Sequence, residues 1–173
     1  MTRSQLNPLP EYFDRYINMC DDVELLDALK ICIEEINSFP LDKWNALGDK
    51  VYAPGKWTIK DMLQHLIDTQ RIFAYRALAI ARNETAMLPS FDEDMYANAA
   101  QASVRNLEDL IDELRLVYQS FLVLYKSFSA DTLTKKGKSY KGFYSVADIG
   151  FTMAGHQRWH LKVLEEKYYP LIS

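Results

Sequence analysis

The chain has 173 residues, 49% of them hydrophobic and 25% charged, which is enough for one domain (1–173, core about 12–169) with a sizeable interior. A net charge of -4 offers no basic surface for nucleic acid, and no apolar run approaches the length of a membrane span. The first residues lack a secretory apolar run, and Cys20 and Cys32 are too few for a disulfide framework and too far apart for a CxxC motif, so the expectation is a cytoplasmic protein.

Helical periodicity recurs four times. The first run follows Asp21-Asp22, taken as its N-cap, and carries Leu25, Leu29, Cys32 and Ile36 before stopping at Phe39-Pro40. Cys32 on that stripe reads as a small buried hydrophobe. The segment from Leu41 to Trp57 reads as a long loop, with VYAP (51–54) as the sole short strand-like stretch. A second helix starts at Thr58, where TIKD has the form of a capping box, and its apolar positions extend to Leu78. The next connection holds a short helix in FDEDMYANAAQAS, whose acids Asp92, Glu93 and Asp94 suit a first turn or the mouth of a site. A third helix follows from Asn106 to about Phe128. KKGKSYKGF then reads as a flexible cationic loop, with Lys135, Lys136, Lys138 and Lys141 as solvated surface or contacts for an acidic substrate. The fourth helix is capped by Ser145 and continues to about Lys167. Four such helices with long connections predict an all-α fold, an irregular four-helix bundle.

Two of the three histidines, His156 and His160, are four residues apart on the inward stripe of the fourth helix. That spacing lets two imidazoles converge on one point, as in helices that present paired zinc ligands. Gln157 follows His156, so the general-base Glu of HExxH proteases is missing. His65 flanks the apolar stripe of the second helix, and a bundle can bring that face against the fourth. A lone histidine such as His65 is more often a hydrogen-bonded core residue than a ligand, and the spacing of His156 and His160 leaves both readings open. Asp68, one turn after His65, is placed to accept its ring N–H or to act as a base, or else to pair with Arg71 or a tyrosine hydroxyl. Trp44 and Trp57 read as packing residues.

The stretches APGKWTIKDMLQHLIDTQRIFAYRALAIAR, LPSFDEDMYANAA and AGHQRWHLKVLEEKY together resemble the DinB-like superfamily, closest to its branch of YfiT-type metal-dependent enzymes. The resemblance spans about Tyr12 to Tyr169. It implies a four-helix bundle holding a divalent metal by His65, His156 and His160, with zinc or nickel foremost and iron or manganese as alternatives. Gln157, Trp159 and Gln70 depart from the family pattern, which puts acid-base roles at those positions in doubt. The function it implies is a metal-dependent enzyme acting on a small molecule. The first form is a thiol-dependent S-transferase or isomerase using a low-molecular-weight thiol. The others are a hydrolase using a metal-activated hydroxide and a non-catalytic metal or ligand binder. Homodimers are frequent in that family, and one is expected here.

Overall fold

The computed structural model describes residues 1–139 and 142–172. Its α-helices are α1 (Asp14–Ile17), α2 (Leu25–Asn37), α3 (Leu41–Leu47), α4 (Ile59–Ala81), α5 (Glu93–Ala100), α6 (Leu107–Lys126), α7 (Ala130–Thr134) and α8 (Val146–Val163). The four periodic runs become α2, α4, α6 and α8. Their principal contacts close a ring in the order α2, α6, α4, α8. Successive long helices α2 and α4 thus lie across the ring from each other, as do α6 and α8. The long connections bridge those diagonals, which makes the bundle irregular. No helix among the described residues is long and apolar enough to cross a membrane.

Local chemistry sets where the two site-bearing helices begin. Thr58 Oγ1 accepts from Asp61 N while the Asp61 carboxylate accepts from Thr58 N, a reciprocal box that starts α4. Ser145 and Asp148 repeat the arrangement at the start of α8. Each cap contributes about 1 kcal/mol, and each fixes which residue enters the first turn. The start of α2 differs from the expected Asp21-Asp22 cap. Asp22 accepts instead from Ser4 N at 2.8 Å, Asp21 pairs with Arg158, and Glu24 occupies the cap position. Nearby donors took both carboxylates away from the helix end.

Two connections also differ from the sequence expectation. The first 7 residues of the 41–57 segment are α3, with Trp44 buried and its indole N–H donating to Tyr169 Oη at 3.2 Å, while VYAP forms no strand. The lysine-rich stretch is a two-stranded antiparallel hairpin, β1 (Lys136–Ser139) and β2 (Gly142–Ser145), with Gly137 opposite Tyr144. Gly137 lies where a Cβ would fall 2.3 Å from Ile80 Cγ1, so the hairpin packs directly on the end of α4. Leu88 N donates to Lys138 O at 2.9 Å, which ties the α4–α5 connection to the same hairpin. Lys135 Nζ is held by Ala81 O and Asn83 Oδ1 at the C-terminal end of α4. Lys136 and Lys138 are exposed on β1, and Lys141 lies outside the described residues.

From Val146 to Gln157 every residue of α8 is buried. Tyr118 and Tyr125 of α6 donate to the α8 carbonyls of Met153 (3.0 Å) and Val146 (2.7 Å), so the helix carrying the histidine pair is anchored by hydrogen bonds as well as packing. On its other side Gly155 admits the backbone of α1, where a Cβ would fall 1.7 Å from Tyr16 O.

Candidate metal centre

The α4–α8 contact brings His65 to the pair on α8. His65 Nε2 lies 3.3 Å from His156 Nε2, and His160 Nε2 lies 3.1 Å from His156 Nε2. Potential ligand atoms of the three rings all fall within 4.8 Å of one another, and among the described residues these three form the group able to hold a metal. A tetrahedral zinc with ligands at ~2.0–2.1 Å requires N···N separations of about 3.3–3.4 Å, so the two short spacings already fit such an ion. Hydrogen bonding within the cluster satisfies it less well. A neutral imidazole has one N–H, and His156 Nε2 faces two other ring nitrogens but can donate to only one. His65 Nδ1 sits 3.4 Å from Thr69 Oγ1, which can accept a hydrogen bond from Nδ1–H and leave the Nε2 lone pair facing inward.

Electrostatics keeps the rings neutral. Burial, then the repulsion that protonating His160 as well would bring, pushes His65 down to about 3. Burial takes His160 to about 4 and His156 well below the ordinary imidazole range. His160 nonetheless keeps a partly exposed edge toward solvent. Neutral imidazoles with free lone pairs are the form that ligates a cation, so the donor set suits a divalent metal in protonation state as well as in spacing.

Aromatic rings wall the cluster. Trp57 lies over His65 with ring centroids 4.6 Å apart, and Tyr16 of α1 meets His156 edge-on at 5.0 Å. A cleft of about 340 Å³, lined by Tyr52, Trp57, Met62, Tyr168 and Glu93, opens beside His160. A much smaller cavity of about 20 Å³ lies beside His156, with Thr69, Arg76, Phe91 and Glu93 in its wall. Phe91 and Glu93 reach the site because the hairpin and Leu88 hold the α4–α5 connection in place.

Asp68 does not join the cluster. Its carboxylate accepts from Gln64 Nε2 at 3.0 Å, and Gln64 Oε1 in turn accepts from Arg105, which pairs with Glu113. It borders a separate groove of about 710 Å³ with Arg71 and Tyr96, and burial raises its pKa, partly offset by the Gln64 hydrogen bond. His65 Nδ1 faces Thr69, because position 69 lies close to one full turn along from 65 and position 68 is rotated off that face.

The departures from the family pattern have visible surroundings. Gln157 turns away from the histidines toward α2, donating to Cys32 O (3.1 Å) and Glu35 Oε2 (3.2 Å). A glutamate there would set a carboxylate against a carbonyl and another carboxylate, so the amide serves the α2–α8 contact. Trp159 packs edge-on against Tyr16, and Gln70 is buried with neither amide atom hydrogen-bonded among the described residues. Asp92 caps α5 by accepting from Met95 N, the structural role, while Glu93 borders both spaces beside the histidines. Cys32 is buried with its thiol directed at Ala154 O. Sequence reasoning missed Tyr16, Thr69, Arg76 and the ring placement of Trp57. Thr69 was legible as the i+4 neighbour of His65, whereas the others reach the site only through tertiary contacts.

A search of curated proteins finds no match to this chain. Among solved structures, YfiT from Bacillus subtilis, described as a probable metal-dependent hydrolase with an unusual four-helix bundle topology, superposes with a TM-score of 0.71. The superposition covers 99% of this chain and 93% of YfiT at 14% identity, so the likeness is one of fold. The family model of the DinB superfamily matches residues 13–164, nearly the whole bundle. The chain belongs to the DinB superfamily.

Proposed function

We propose that this protein is a divalent-metal-dependent enzyme acting on a small molecule, with His65, His156 and His160 as the ligands. The observation that carries the reading is the convergence of three Nε2 atoms from two helices, with neighbouring spacings of 3.1 and 3.3 Å. Three protein ligands match the catalytic pattern of zinc sites, whereas structural sites use four. A bound divalent cation supplies Lewis acidity and lowers the pKa of a water or thiol beside it.

The chain's own groups have distinct tasks. Thr69 fixes the tautomer of His65, and Trp57 and Tyr16 exclude water from two sides of the cluster. The cleft beside His160 admits a small molecule with an apolar or aromatic body. Glu93, at the border of cleft and cavity, and Asp94, in the cleft wall, are the carboxylates placed to accept a proton there. Hydrolysis is the reaction class this favours, and the description of YfiT points the same way. A thiol-using transferase or isomerase is the second reading, supported by a cleft with room for a second reactant.

Elemental analysis of the purified protein beside His160→Ala tests the site. About one zinc, nickel or other divalent ion per chain, lost in the variant, supports the reading. No metal in either, with reconstitution also failing, sinks it. Cobalt-loaded protein then separates the reactions. A spectrum perturbed by simple thiols favours thiol transfer, and its indifference to them leaves hydrolysis.

A further inference from the structure

Arg76 of α4 is 2% exposed, and among the described residues no carboxylate lies within ion-pair distance of it. Its Nη2 donates to Pro89 O at 2.7 Å, the single hydrogen bond it makes to them. Its guanidinium lies over the Phe73 ring at 4.5 Å, with Phe91 at 5.9 Å. A guanidinium carries five N–H donors and a charge that costs heavily to bury without a counter-ion, so this one is underused. It also borders the small cavity that His156 lines. That juxtaposition goes beyond what tying α4 to the connection at Pro89 requires.

We propose that Arg76 binds a carboxylate group of the substrate in the small cavity beside His156, with the rest of the molecule lying across the histidine cluster in the cleft beside His160. The placement of the reacting end rests on the reading of the cluster as a metal site. The cavity of about 20 Å³ exceeds the ~10–15 Å³ a single water needs and suits a planar two-oxygen head, not the body of a ligand. The planar fork of arginine matches a carboxylate bidentately. Thr69 and Tyr16 stand in the same wall. Glu93 is the opposing charge in that wall, but it is an exposed residue screened by water, whereas the guanidinium is enclosed. The substrate class is therefore a small carboxylic acid with an apolar or aromatic remainder.

Calorimetric titration with acetate, succinate and inorganic phosphate at matched ionic strength tests this, on the protein as purified and after chelator treatment. Saturable binding of a carboxylate to the chelated parent, weakened at least about tenfold in Arg76→Gln and less in Arg76→Lys, is the expected result. Should either variant fail to fold, the Arg76 Nε–Hε resonance of the parent serves instead, and it should shift on adding succinate. Binding that is equal in Arg76→Gln, absent for every carboxylate, or stronger for phosphate overturns the proposal, as does an unmoved resonance. Carboxylate binding that needs Arg76 in a protein that never takes up metal would sink the metal reading and leave this one standing.

Discussion

Gly155→Ala places a methyl group where α1 crosses α8, one residue before His156. The new Cβ would lie 1.7 Å from Tyr16 O and 2.5 Å from Tyr16 C, both backbone atoms, where real Cβ contacts stay beyond 3.0 Å. The α1 backbone must therefore withdraw by more than about 1 Å, a strain at the upper end of the ~1–3 kcal/mol typical of overpacking. Alanine returns about 1 kcal/mol through helix propensity. The net expectation is a loss of roughly 2 kcal/mol, or a Tm lowered by ~4–8 °C for a chain of this size. Urea unfolding should show a lower midpoint with an unchanged slope. Because Tyr16 is the ring packed on His156, metal affinity should weaken as well. Gly150→Ala is the milder comparison, since the nearest neighbours of its Cβ are side-chain atoms of Leu25 and Tyr125, at 2.8 Å, and none is backbone. A Gly155→Ala protein as stable as the parent would refute the claim that α1 and α8 depend on this close approach.

Other perturbations separate fold from site. Gln157→Glu should cost ~1–3 kcal/mol in urea unfolding, since it removes the donor to Cys32 O and Glu35, yet leave metal content near that of the parent. Thr69→Val should leave stability almost unchanged and lower metal affinity ~10–100-fold in chelator competition, by releasing the tautomer of His65. Alkaline pH should destabilise the protein. Burial pushes Cys20 from 9.0 to about 12 and Tyr168 from 10.0 to about 12, so the unfolded chain gives up these protons first. Stability is then full below pH 9 and lost as pH rises toward 12. Tyr168→Phe should remove the part between pH 10 and 12, and an unchanged slope there would count against the assignment.

Local rules made much of this fold legible. The capping boxes at Thr58 and Ser145 and the 3.6-residue recurrence depend on neighbours three and four apart, so four long helices, the short α5 and the HxxxH face could be read directly. The hairpin escaped because its strands of four residues each follow no alternation of apolar and polar side chains. It is held by Gly137 against Ile80 and by Leu88, neither of which is local to it. The α2 cap failed for a similar reason, since Asp22 was captured by Ser4 from a segment 18 residues away.

The chain alone determined which side chains have metal-binding chemistry, because imidazole spacing along one helix is fixed by the helix itself. Only the tertiary structure shows how close His65, 91 residues before His156, comes to the pair on α8. It also decided that Asp68 turns to Gln64 and Gln157 to α2, and that Arg76 is enclosed with no carboxylate in ion-pair distance among the described residues. Those outcomes depend on which faces the ring of helices brings together. A periodicity says that a face is buried and never against what.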